Sequence, residues 1–144
     1  MEVSKVISPN QILVSSFFGG PIAAIYFLRK NYIALGDDHY ARNTLIYGVT
    51  LIIFVILLLA FLPEEIPNLI LPLAYSLAAK QIAVSTQLEK HKIETSDMYA
   101  FESNIKIFGI SIIALMIFMI LAVLIFVILE AAGLISLADL PHQK

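Results

Sequence analysis

The chain has 144 residues, of which 60% are apolar and 14% charged, with a net charge of −2, a mean hydropathy of +0.90 and no cysteine. Average soluble domains are roughly 45–50% apolar and about 25% charged, and a protein this small has too much surface to hide such an excess from water. Lipid is the natural solvent. Disulfide frameworks, thiolate catalysis and cysteine-based zinc sites are excluded, and the charge balance gives no reason to expect a nucleic-acid partner.

Four apolar segments follow one another, at residues 11–28, 44–62, 66–85 and 107–129. A bilayer core about 30 Å thick needs roughly 20 helical residues. The second and fourth segments meet this with 19 and 23 uncharged residues. The first is slightly short, and the third is broken by Pro67, Pro72 and Lys80. The expected architecture is an all-α membrane protein forming one domain, residues 1–144, with four transmembrane helices in a compact bundle.

The basic residues give this arrangement a direction. Arg29, Lys30 and Arg42 fall in the first loop, and Lys90, Lys92 and Lys106 in the third. The second carries only Glu64 and Glu65, and the tails hold Lys5 and Lys144. With four crossings, the positive-inside rule places loops 29–43 and 86–106 in the cytoplasm and both termini outside. Were the third segment re-entrant, this bias would vanish. The pair Arg29–Lys30 follows the first apolar run, whereas a signal peptide carries its charge before it, so that segment is expected to stay in the mature protein.

The first segment contains FFGGPIAAIYFL, with glycine and proline inside an apolar run. At about 100° per residue, Ser15, Gly19 and Ala23 form one row and Ser16, Gly20 and Ala24 the row beside it. Two small-residue rows let another backbone approach closely, a main source of helix attraction in lipid. Pro21 is expected to kink this helix at Gly19-Gly20-Pro21, with Ser15 or Ser16 serving the carbonyl of Phe17. A broken helix binding a ligand at mid-membrane is the sharper alternative. Only one such break is clear in the chain, and transporters usually supply a pair.

The third segment supplies the expected partner, with Ala74, Ala78, Gln81 and Ser85 on one stripe facing protein. Asn68, Tyr75, Ser76 and Lys80 add polarity, so Lys80, Tyr75 and Ser76 are the weak candidates for a ligand or ion. Lys80 lies close enough to the cytoplasmic end to snorkel. The second and fourth segments are expected to face lipid.

The loops bring Asp37, Asp38, His39, Glu89, His91, Glu94 and Asp97 to one side, a set with metal-binding chemistry but no recognisable motif. Helix punctuation accounts for it better. Gly36 ends a helix, Asp37 or Asp38 caps the next, and Thr95, Ser96 or Asp97 caps a short amphipathic lead-in to the fourth span. Met98, Phe101, Ile105 and Phe108 would line one face of that lead-in. No catalytic residue, metal or cofactor is assigned.

The opening FFGGPIAAIYFLRKNYIALG followed by ARNTLIYG resembles a family of uncharacterised small bacterial inner-membrane proteins. Their first helix carries a Gly-Gly-Pro-like break, followed by an Asn and a Leu-Gly, here Gly19, Gly20, Pro21, Asn31, Leu35 and Gly36. The resemblance implies a bacterial inner membrane and carries no activity with it. The expected function is non-enzymatic association with itself or a partner membrane protein within the lipid bilayer. The alternative is a small oligomeric transporter or channel with its path between the first and third helices.

Overall fold

A computed structural model describes residues 3–63, 65–67, 69–87 and 90–136. Glu64, Asn68 and Glu89 therefore lie outside the described residues. The order of elements is β1 (Ser4–Val6), α1 (Pro9–Ala34), α2 (Asp38–Phe61), α3 (Ile70–Thr86), α4 (Lys90–Glu94), β2 (Tyr99–Phe101) and α5 (Asn104–Ala131). The result is a compact, largely helical bundle. By length and composition α1, α2 and α5 qualify as membrane-spanning helices, while α3 is shorter, at 17 residues.

α1 starts with a capping box. The Ser8 hydroxyl accepts from Gln11 N–H, the Gln11 side chain accepts from Ser8 N–H, and Pro9 follows at the helix start. Eleven residues later the helix stops. Gly20 has φ 75° and ψ −175°, a non-helical conformation inside α1 that is open essentially to glycine alone. The carboxamide of Asn31 then hydrogen-bonds both backbone groups of Ile7, at 2.8 and 2.7 Å. On a straight helix these residues would lie about 36 Å apart. The chain therefore doubles back at Gly20, and residues 9–19 and 21–34 are the two arms of a helical hairpin.

This corrects the expected kinked span. The first segment does not run from one end of the bundle to the other, and the described N-terminal residues sit at the same end as the loop around Gly36. The order Gly-Gly-Pro permits the reversal, and the Asn31–Ile7 hydrogen bonds select it. A proline within a helix bends it, but a proline directly after a non-helical glycine opens a new helix, where its missing N–H is no loss. No serine is needed to rescue the Phe17 carbonyl, and none is so placed. The Ser15 hydroxyl donates to the Ile12 carbonyl at 3.1 Å, and that of Ser16 has no hydrogen-bond partner among the described residues.

The hairpin is the centre of the molecule. α2, α3 and α5 each pack extensively against α1 and only slightly against one another. The core joins Ile12, Ala23, Ala24 and Phe27 of the hairpin to Ala79 and Ala83 of α3 and to Ile107 and Ala114 of α5. Close approaches occur at glycines. A Cβ on Gly19 would lie 2.9 Å from the Ser111 backbone, and one on Gly48 of α2 would lie 2.7 Å from Ile25. Phe118 of α5 covers Gly20.

Two further corrections concern α3 and the third loop. Ala74, Ala78 and Gln81 are exposed, and α3 turns Ser76, Ala79 and Ala83 inward instead. The Ser76 stripe brings smaller groups against the hairpin and leaves the Gln81 amide outside. The amphipathic lead-in is absent, because residues 99–101 form a strand. β2 pairs in parallel with β1, in the register Ser4↔Tyr99, Lys5↔Ala100 and Val6↔Phe101. The N-terminus supplies an extended partner for this stretch, and the helix begins only at Asn104, leaving Ile105 and Phe108 exposed.

Replacing Gly20 with Ala should destabilise the protein by about 1–3 kcal/mol through backbone strain, because the added methyl would meet only Phe118, at ordinary contact distance. Gly19→Ala should destabilise through collision with Ser111 instead. Denaturation in mild detergent on a Phe118→Ala background checks the cause at Gly20: strain leaves the Gly20→Ala penalty in place, whereas a steric cause would lose it with the smaller side chain.

Candidate functional site

The most organised constellation lies where the hairpin closes. Asn31 is buried near the end of the second arm. Its Oδ1 accepts from Ile7 N–H, and its Nδ2 donates to the Ile7 carbonyl and, at 2.9 Å, to Gln87 Oε1. Gln87 Nε2 in turn donates to the Leu28 carbonyl at 2.9 Å. A carboxamide carries one acceptor and one two-proton donor, so Asn31 treats Ile7 as a neighbouring strand would. The parallel pairing of β1 with β2 continues this clamp, with Glu102 N–H donating to the Val6 carbonyl at 2.9 Å.

A charged group sits beside it. Glu102 is 3% exposed, and its carboxylate accepts from Lys30 of the second arm and, at 3.4 Å, from Lys106. The Lys30 contact, chiefly its hydrogen bond, holds the Glu102 carboxyl below its ordinary value of 4.5 against the opposing effect of burial. Gln11 links the cap to the same corner, donating to the Glu102 carbonyl at 3.2 Å and to Asn104 Oδ1 at 2.6 Å. The Tyr32 hydroxyl bonds Thr86 Oγ1 at 2.5 Å, and its ring stacks on Tyr40 at 5.5 Å between centroids. Four helices and both strands are thus tied together at one end of the bundle.

Local sequence explains the positions. Gly36, at φ 76°, terminates the second arm with Gly36 N–H donating to the Ile33 carbonyl and Asp37 N–H to that of Tyr32, a pattern that closes a helix end. Asp37 then caps α2 through Tyr40 N–H. This punctuation fixes how far the second arm runs, and so brings Asn31 level with Ile7.

Among the residues singled out from the sequence, Ser15, Ser16, Gly19, Gly20, Pro21, Ala23 and Ala24 are buried. The hairpin's own arms, α3 and α5 occupy their small face. Lys80 and Tyr75 are half-buried, while Ser76 is buried and donates to the Leu73 carbonyl at 3.1 Å. With Gln81 exposed, these four do not form a line between the first and third helices. Among the described residues, no group of three or more His, Asp or Glu side chains is placed to hold a metal. Sequence reasoning missed the roles of Asn31, Gln87 and Glu102. The available signal was an uncommon one: a buried-type asparagine one turn before a helix-ending Leu-Gly.

Asn31→Leu keeps the branched outline but strands the backbone of Ile7 and the amide of Gln87. It should cost about 3 kcal/mol and expose residues 3–8 to proteolysis. Because the folded-state pKa of Glu102 is depressed, its contribution is fully present above the ordinary carboxylate range and is lost as pH falls through that range to the lowered pKa. Acid titration of stability should therefore show a decline starting near pH 4.5 that Glu102→Gln abolishes. Lys30→Met should weaken the decline more than Lys106→Met, whose side chain is 57% exposed against 26% for Lys30.

No family model, curated protein or solved structure matches the chain, and the functional reading rests on this geometry.

Proposed function

We propose that the chain is a non-enzymatic multi-pass protein of the bacterial inner membrane, inserted as a re-entrant hairpin followed by three crossings, and that it acts through helix association with itself or a partner membrane protein. The observation carrying this reading is the closure of the hairpin. Its small-residue face and the amides of Asn31 and Gln87 at its closed end are consumed within the chain, so the broad surfaces left for association are the apolar outer faces of α2 and α5. α5 is exposed along nearly its whole length, including Ile113, Met116, Ile120, Val123 and Val127, and α2 exposes Ile46, Tyr47 and Phe54.

The hairpin also revises the sidedness. Lys5, Arg29, Lys30, Arg42, Lys90, Lys92 and Lys106 now all belong to the end where the hairpin closes, and the connection from α2 to α3 has no Lys or Arg. The positive-inside rule assigns that end to the cytoplasm. Residues 3–8 then lie inside and the end of α5 lies outside. Mid-depth irregular backbone is tolerated only where protein covers it, a condition met by the burial of Gly19, Gly20 and Pro21. The transport alternative loses its support from the scattered placement of Tyr75, Ser76, Lys80 and Gln81.

Single-cysteine labelling tests the topology in a chain with no native cysteine. Ser4→Cys, His39→Cys and His91→Cys should react from the cytoplasmic face, and Glu65→Cys from the opposite one. Labelling of Ser4→Cys and His39→Cys from opposite faces would restore a crossing first helix. For association, cross-linking through α5 variants should capture a second polypeptide; a monomer at every α2 and α5 position would overturn that part.

A further inference from the structure

Beside the first arm of the hairpin, against the opening turns of α5, runs a groove of about 430 Å³. Its polarity changes along its length. Asn10, Gln11 and Asn104 lie at the end where the hairpin closes, and Val14, Phe18 and Phe108 form the lower walls over Ser15 and Ser111. From Asn104 to Ser111 the helix rises about 10 Å. The lower walls are open to the side, with Val14, Phe18 and Phe108 each more than half exposed.

The hydrogen bonds already made define what the groove still offers. The Ser15 and Ser111 hydroxyls donate to the carbonyls of Ile12 and Ile107 in their own helices, so the lower part presents no spare donor. Gln11 is fully engaged with Ser8, Glu102 and Asn104. Among the described residues Asn104 only accepts, through Oδ1, which leaves its Nδ2 protons available. Exposed Asn10 adds a second carboxamide at the rim. Among the described residues no charged side chain lines the groove, and Lys30 and Lys106 are both turned to Glu102.

We propose that this groove binds one acyl chain of a glycerolipid, whose ester or phosphate oxygens accept hydrogen bonds from Asn104 and Asn10. The proposal rests on the membrane placement given above, which puts the rim at headgroup level and the slot among the acyl chains. The volume is that of a small-ligand site with a few polar groups at one end. A docking helix, about 10 Å across with its side chains, needs a longer trough than these two helical turns provide. Uncharged amides recognise oxygen acceptors common to all glycerolipids, so occupancy should be nearly indifferent to headgroup charge.

The chain contains no tryptophan, which allows one reporter to be placed at a time. Phe108→Trp puts it in the groove, and Ile113→Trp puts it on another exposed stretch of α5. The full chain, purified in mild detergent, is titrated with phosphatidylcholine brominated on its acyl chains. Quenching of Phe108→Trp should reach a plateau at one lipid per chain, at a concentration about tenfold below that needed for Ile113→Trp. Unbrominated phosphatidylglycerol and phosphatidylcholine should reverse it equally well. Adding Asn10→Leu and Asn104→Leu should raise the required concentration about fivefold per lost hydrogen bond, with helicity unchanged. Equal quenching at the two reporters would overturn the proposal, as would reversal by phosphatidylglycerol alone, or protection of Phe108→Trp by dimer formation. Flotation with liposomes separates this failure from that of the underlying reading. A chain that floats but quenches equally loses only the groove, whereas a chain that does not float loses the membrane placement as well.

Discussion

The structure depends on a reversal and on the clamp that makes it permanent. Gly20 lets the chain turn, but a conformation available to one residue does not hold two helical arms together. In a bilayer, apolar arms gain nothing from leaving lipid for each other, and close packing with hydrogen bonding must supply the difference. Asn31 provides the hydrogen bonding, satisfying both backbone groups of Ile7 across the mouth of the hairpin. Ser15, Gly19, Ala23 and Ala24 provide the packing. Neither suffices alone: the clamp without small residues would meet a steric barrier, and the small residues without the clamp would leave the backbone of Ile7 unpaired.

The rest of the molecule is arranged around this unit. α2, α3 and α5 lean on the hairpin rather than on one another, so its two arms set their spacing. At the closed end the same side chains serve several elements at once. Gln11 completes a capping box and reaches Glu102 and Asn104, and Glu102 joins the second arm to α5 through Lys30 and Lys106. The buried polar groups Asn31 and Glu102, with Gln11 and Gln87, are committed to structure. The outer faces of α2 and α5 are left apolar, and the groove beside the first arm keeps spare amide hydrogens at its rim.

Some of this was legible from residue order. The Gly-Gly-Pro break, the small rows on the first segment, the Leu-Gly stop and the Asp37 cap could each be read from local chemistry. The third helix could not, because it carries two neighbouring small stripes. One contains Ala74 and Ala78, the other Ser76, Ala79 and Ala83, and spacing alone gives no preference between them. The lead-in before α5 misled for a related reason. Apolar residues at helical spacing satisfy a helix, but an extended partner 95 residues away turned Tyr99–Phe101 into a strand.

Composition and pattern by themselves determined that the chain is a lipid-compatible helical protein, that its first helix breaks at Gly-Gly-Pro, and which loops carry the positive charge. The tertiary structure alone decided where the chain goes after Gly20. A proline after two glycines is compatible with a bend or with a full reversal, since both satisfy the same local preferences. The choice lies with Asn31 and Ile7, which are remote in sequence and adjacent in space, and their hydrogen bonds form only if the arms fold back.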